Sequence, residues 1–159
     1  LSGNDNTDAD PEVLVAIGEL STSIGAADIT EVEMVTTTAD KSDGFTISVR
    51  VRYNEPVNVV TTGGTPTLAV TNSNAGSGSG RGPHSLSYAS GTGTNELVFS
   101  LPIGEANAAT NADDVLSVAA QSIALNSGTI KDASGTASDA SLVISSAQGT
   151  AAGTVTVTA

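Results

Sequence analysis

From Phe45 to Tyr53 the chain alternates strictly. Phe45, Ile47, Val49, Val51 and Tyr53 fall on one side, and Thr46, Ser48, Arg50 and Arg52 on the other. Period two predicts a half-buried β-strand whose apolar face looks into a core. Glu55-Pro56 follows and predicts the strand's end, because proline has no N–H for a ladder and pushes its predecessor into extended or turn geometry. Val57 to Val60 is a brief further pairing segment. Thr62-Gly63-Gly64-Thr65-Pro66 is a turn, and Leu68 and Val70 open the next inward face.

The same grammar continues downstream. Residues 72–83, NSNAGSGSGRGP, read as a flexible loop by composition. Leu86 and Tyr88 mark a short strand, and Ser90 to Asn95 a hairpin-type turn. Leu97, Phe99, Leu101 and Ile103 mark another strand, whose Pro102 predicts an edge position or a strand end. Residues 104–113 admit at most a helical turn. Leu116, Val118, Ile123 and Leu125 precede a turn at Asn126-Ser127-Gly128. TIKDASGTASDASLVI reads as strand end, loop and strand, and Val155 and Val157 alternate with threonines. Nearer the start, Val13, Val15 and Ile17 alternate, as do Val32 and Met34. Short strands, Gly/Ser/Asn turns and no long amphipathic helix predict an all-β antiparallel sandwich over 44–159. Residues 1–43 form either an acidic docking arm or extra strands.

Composition makes the core thin. The 159 residues suit one domain. Aromatics are only 3%, so burial falls to Val, Ile, Leu and Ala, a core expected to gain support from neighbouring copies or a larger assembly. The net charge of −12 disfavours nucleic acid and anionic membrane as partners. Ten of the 17 acids lie in 1–43, against the single base Lys41, which fits a basic partner surface, cations or a plainly solvated arm. The absence of cysteine removes disulfides and thiolate metal sites. No apolar run approaches the roughly 18 residues of a membrane span, and no basic-then-apolar signal segment appears.

Candidate chemistry is sparse. The one histidine, His84 in GRGPHSLSY, has no serine elbow to serve and reads as a loop or strand-edge residue. GSGSGRG lacks both the following helix and the Lys-Ser/Thr pair of a phosphate loop, leaving Arg81 and His84 as residues for a partner to touch. Two Tyr and no Trp make a poor sugar site. The chain is therefore expected not to be an enzyme, and no organic cofactor is expected. Calcium is the ion its oxygen chemistry admits. DADPE (Asp8, Asp10, Glu12) has alternate acids without the EF-hand glycine, while Asp113, Asp114 and Asp132 lie at strand ends and are the metal candidates. Lys41 and Lys131 are too poorly supported by apolar surroundings to predict an isopeptide crosslink.

VRYNEPVNV, GTPTLAV, LSYASGTGTNELVFSLPI, ALNSGTIKDASG and GTAAGTVTVTA occur in an order that resembles a bacterial Ig-like repeat. The likeness is to the SwmB-like repeats of cyanobacterial and marine bacterial surface adhesins, and to related domains in virion proteins of marine tailed phages. It covers roughly residues 44–145. The resemblance implies an Ig-like sandwich used for architecture and contact, without catalytic residues. Some relatives hold calcium at strand-end aspartates, but Gly104-Glu105 stands where they carry Gly-Asp. The expected function is a bacteriophage virion component, a capsid decoration or cement protein on the virion surface, whose partners are the capsid shell or neighbouring copies. The alternative is a repeat of a bacterial surface adhesin or extracellular filament.

Overall fold

The structure, a computed structural model, describes residues 25–74, 82–105, 109–133 and 137–159. The segments holding Asp8, Asp10, Glu12, Val13, Val15 and Ile17, and also Arg81, lie outside the described residues. In chain order the strands are β1 (Ile29–Met34), β2 (Ala39–Asp40), β3 (Phe45–Val60), β4 (Thr67–Asn74), β5 (His84–Ser90) and β6 (Thr94–Ile103). They continue as β7 (Asp114–Ser117), β8 (Gln121–Ser122), β9 (Thr129–Asp132), β10 (Val143–Ile144) and, after the helix α1 (Ser146–Ala151), β11 (Thr154–Thr158). Among the described residues, no helix is long and apolar enough to cross a membrane.

The fold is all-β and sandwich-like. One curled sheet runs β1-β3-β6-β5-β4-β7-β11-β2, with β9 joined to β3 and a separate β8/β10 pair. Strand pairs are antiparallel except β11 with β2. Two strands that change partners along their length curl the sheet. β3 pairs with β1 and β6 up to Arg52, shifts register, and then pairs through Val57–Val60 with β9. β4 pairs with β5 through Thr67–Val70 and with β7 through Thr71–Asn74.

The predicted end at Glu55-Pro56 is therefore a bulge inside one long strand. Pro56 cannot donate to the ladder, but its carbonyl accepts from the Ala133 N–H at 2.9 Å, so the strand continues past the break. The predicted loop at 72–83 likewise begins later than composition suggested, because Asn72–Asn74 still pair with β7. Pro102 lies at the end of β6, opposite Thr46 and beyond the residues that pair with β5. The β5–β6 turn depends on Gly91, at φ +113, where a Cβ would lie 1.9 Å from the Glu96 carbonyl oxygen.

Part of the acidic front segment is sheet. Ile29, Val32 and Met34 of β1 are buried in the main core, and β2 pairs in parallel with β11, so Ile29–Met34 and Ala39–Asp40 take the form of extra strands. The alternation at Val32 and Met34 carries this, since each inward methyl-rich side chain removes apolar surface from water. The core is otherwise aliphatic: Ile47, Val49, Val51, Leu68, Val70, Leu86, Leu97, Leu116, Ile123 and Ile130 are all buried. Its aromatic part is Tyr53, Phe99 and the half-buried Tyr88, whose ring meets Phe99 edge-on at 6.1 Å. The Tyr53 hydroxyl donates to the Ser141 carbonyl at 3.1 Å, satisfying the polar end of a buried ring.

α1 closes the free edge of β1. Ser145 and Gln148 form a reciprocal capping box, and the Gln148 amide nitrogen donates to the Ile29 carbonyl at 2.7 Å. The Met34 N–H donates to the Ala152 carbonyl at 2.9 Å. An edge that would otherwise offer unpaired backbone groups is thus partly occupied by the chain itself.

Candidate functional site

The candidate aspartates are adjacent in sequence or similar in setting, yet the sheet divides them. Asp113 is exposed at a turn with φ 68°, its N–H donating to the Val157 carbonyl at 2.9 Å. Asp132 is buried on β9, opposite Val57 beyond the β3 bulge, with its N–H on the Ser138 carbonyl at 2.9 Å. Asp114 is buried at the start of β7. Among the described residues, no group of three or more His, Asp or Glu side chains comes together as a metal site.

Asp114 instead belongs to a mixed polar cluster where β4, β5 and β7 meet. Its Oδ2 accepts from the Asn72 amide nitrogen at 2.9 Å and from the Asn111 N–H at 2.7 Å. The same Asn72 nitrogen lies 3.1 Å from His84 Nε2. A carboxylate oxygen can only accept, so the Asn72 group facing it is the NH₂, and His84 Nε2 is left as the acceptor of the second amide hydrogen. His84 is therefore a neutral imidazole carrying its proton on Nδ1. Desolvation holds its pKa below the ordinary 6.5, and the nearby Asp114 carboxylate only partly opposes this.

The cluster is held by backbone geometry. Asn72 and His84 are diagonal neighbours on β4 and β5, since Val70, two residues before Asn72, is the register partner of His84, and Asn72 itself already pairs with β7. Gly82 packs directly against Asn72: at φ +147 it has no Cβ, and one placed there would lie 2.9 Å from the Asn72 Cβ. A side chain at this position would push Asn72 away from both partners.

A second polar assembly lies on the outer face of β1, β3 and β6. Arg52 Nη1 reaches Glu31 at 2.6 Å, and its Nε and Nη2 take Glu96 Oε1 at 2.9 and 2.6 Å. Arg50 pairs with Glu33 and lies 3.6 Å from Glu96. Register explains it, because Glu31 is opposite Arg52, Glu33 opposite Arg50, and Arg52 opposite Glu96. The strict alternation placed the two arginines outward, but their partners on separate strands were not visible in it.

The lysines weighed for a crosslink stand in solvent-facing settings. Lys131 meets Asp139 at 2.8 Å, with Asp139's side chain 85% exposed. Lys41 lines a shallow pocket of about 280 Å³ with Ser42, Ala112 and Ala159. Catalysis by a serine–histidine device needs a hydroxyl on the imidazole, whereas the hydrogen-bond partner of His84 here is an amide. No family model, no curated protein and no solved structure matches this chain.

Proposed function

We propose that this chain is a non-enzymatic structural module with an Ig-like sandwich, a bacteriophage virion component of the capsid decoration or cement kind. The observation that carries the reading is the use made of its reactive side chains. His84 and Asp114 are spent on a buried cluster that joins three strands, and Arg50 and Arg52 on a ladder that ties three more. Such a molecule acts through surface and shape. The resemblance to marine phage and adhesin repeats supports the same class. The acidic front segment is the docking element of this reading, and a thin core gains stability from a lattice by mass action.

The test separates the virion reading from a bacterial surface adhesin or filament. An antibody to the chain, used in immunogold electron microscopy, should decorate phage particles in lysates. Labelling of uninfected cell surfaces or filaments instead would reject the virion reading and favour the adhesin. Flanking reading frames give an independent check: capsid genes support the first, tandem copies the second. The docking role is tested by pelleting purified capsids with the full chain and with residues 25–159. The cut belongs before β1, because removing residues 1–40 would also strip β1 and β2 from the sheet. Undiminished binding of 25–159 would reject docking through the front segment.

A further inference from the structure

The Asn72 amide stands between two groups that each demand a donor. Its nitrogen lies 2.9 Å from Asp114 Oδ2 and 3.1 Å from His84 Nε2, so each amide hydrogen has its own acceptor. Its Oδ1 is buried and has no hydrogen-bond partner. The way the amide faces is therefore decided by Asp114 and His84 alone. The three residues come from three strands, β4, β5 and β7, and both His84 and Asp114 are buried.

Such a relay runs in one direction only. A neutral imidazole offers Nε2 as an acceptor, whereas an imidazolium carries a donor on both ring nitrogens. A proton on Nε2 would set N–H against N–H. Turning the amide over repairs that contact, because Oδ1 would then accept from Nε2–H. It also brings the same oxygen against Asp114 Oδ2, acceptor against acceptor. Either arrangement loses one of the two hydrogen bonds and leaves a contact of like polarity in a buried place, where unmatched polar groups are costly. The surrounding charges do not rescue it. Among the described residues β4 has no ionisable side chain, Glu96 of β6 is engaged by Arg50 and Arg52, and the Tyr88 hydroxyl of β5 accepts from the Thr92 N–H. Asp114 of β7 is the charge that favours the imidazolium, and desolvation outweighs it.

We propose that the His84–Asn72–Asp114 relay is a proton-operated clasp on the sheet: it fastens β4, β5 and β7 while the imidazole is neutral, and loosens the β4–β7 junction when Nε2 takes a proton. The backbone ladder between β4 and β7 and the Thr71–Ser117 hydroxyl contact contain no titrating group, so acid relaxes the junction without dismantling the sheet. The direction follows from linkage. The unfolded imidazole takes its proton at the ordinary 6.5, while the folded one resists until the pH is lower. In that window the unfolded chain binds more protons, so stability falls as pH drops through 6.5 and levels off below the folded-state midpoint.

His84 is the sole histidine, so the imidazole signals in the NMR spectrum of the full chain belong to it without assignment by mutation. Long-range ¹H–¹⁵N spectra near neutral pH should show the Nδ1–H tautomer, and the ring should titrate with a midpoint below 6.5. The Asn72 side-chain amide and the Asn111 backbone amide, which shares Asp114 Oδ2, should shift with that same midpoint. His84→Gln places an amide oxygen near the position of Nε2, an acceptor that cannot titrate. Between about pH 7.5 and about pH 5.5 the wild-type Tm should fall by about 2–4 °C more than that of His84→Gln, the scale of one lost hydrogen bond. An Nε2–H tautomer, a midpoint at or above 6.5, or Asn72 and Asn111 signals indifferent to the imidazole would overturn the proposal. An equal fall of Tm in His84→Gln would overturn it too, by assigning the acid sensitivity to carboxylates elsewhere. Should His84→Gln fail to fold, the tautomer and the titration of the wild-type chain decide alone.

Discussion

Replacing Gln148 by alanine removes a side chain that does two separate jobs. Its oxygen accepts from the Ser145 N–H at 2.8 Å, completing the cap of α1, and its nitrogen donates to the Ile29 carbonyl at 2.7 Å, fastening α1 to β1. The N-cap bond from the residue 148 N–H to Ser145 Oγ survives, but the two hydrogen bonds lost are worth about 0.5–1.5 kcal/mol each. Together the substitution should destabilise by about 1–3 kcal/mol, a Tm fall of about 2–12 °C for a chain of this size. Gln148→Glu separates the jobs: a carboxylate still accepts from Ser145 but cannot donate to Ile29, so it should retain the cap and lose the strap. Urea unfolding followed by far-UV circular dichroism gives the energies. Native-state hydrogen exchange gives the location, because the Met34 amide, bonded to the Ala152 carbonyl at 2.9 Å, should lose protection first. A loss under about 0.5 kcal/mol for Gln148→Ala, or unchanged exchange at Met34, would refute the claim that α1 secures the β1 edge.

Further expectations concern the core, the outer face and alkaline pH. Phe99→Ala, at a fully buried position against Tyr88, should cost about 3–5 kcal/mol in chemical denaturation. Arg52→Met leaves Glu31 and Glu96 without their shared cation and should cost about 0.5–2 kcal/mol at low salt, since its side chain is 38% exposed. That difference should shrink in ~1 M NaCl, and a salt-independent loss would show that packing, not charge, is at work. Burial pushes the Tyr53 phenol above its ordinary 10.0. The unfolded chain then releases that proton first, so the contribution is intact below pH 10.0 and is lost as pH rises beyond it. Tyr53→Phe should flatten this alkaline loss in pH-dependent melts while itself costing about 1 kcal/mol at neutral pH for the Ser141 hydrogen bond.

Several elements were legible without coordinates because their physics is local. The Phe45–Tyr53 alternation, the Gly91/Gly93 turn and the Val155/Val157 ending each express a two-residue period or a φ that favours glycine, and all appear as expected. α1 was missed although Ser145-Ser-Ala-Gln148 spells a capping box; its six residues are too few for helical periodicity to register. Pro56 does not stop its strand, because a bulge and a new partner strand accommodate proline's missing N–H. Chain position marks Asp113, Asp114 and Asp132 as strand-end residues but does not say whether a carboxylate turns outward, as Asp113 does, or inward, as Asp114 and Asp132 do.

What the sequence determines by itself is the kind of surface each segment has, since burial of Val, Ile and Leu follows from alternation that any extended chain obeys. It also determines the excess negative charge and the poverty in aromatic rings. Only the tertiary structure decided which strands meet: that β3 and β4 each serve two neighbours, that Glu31 and Glu96 flank Arg52, and that Asn72, His84 and Asp114 share one buried contact. Those pairings join residues far apart in the chain, and their choice depends on how the whole sheet closes over its core, a quantity that no local pattern carries.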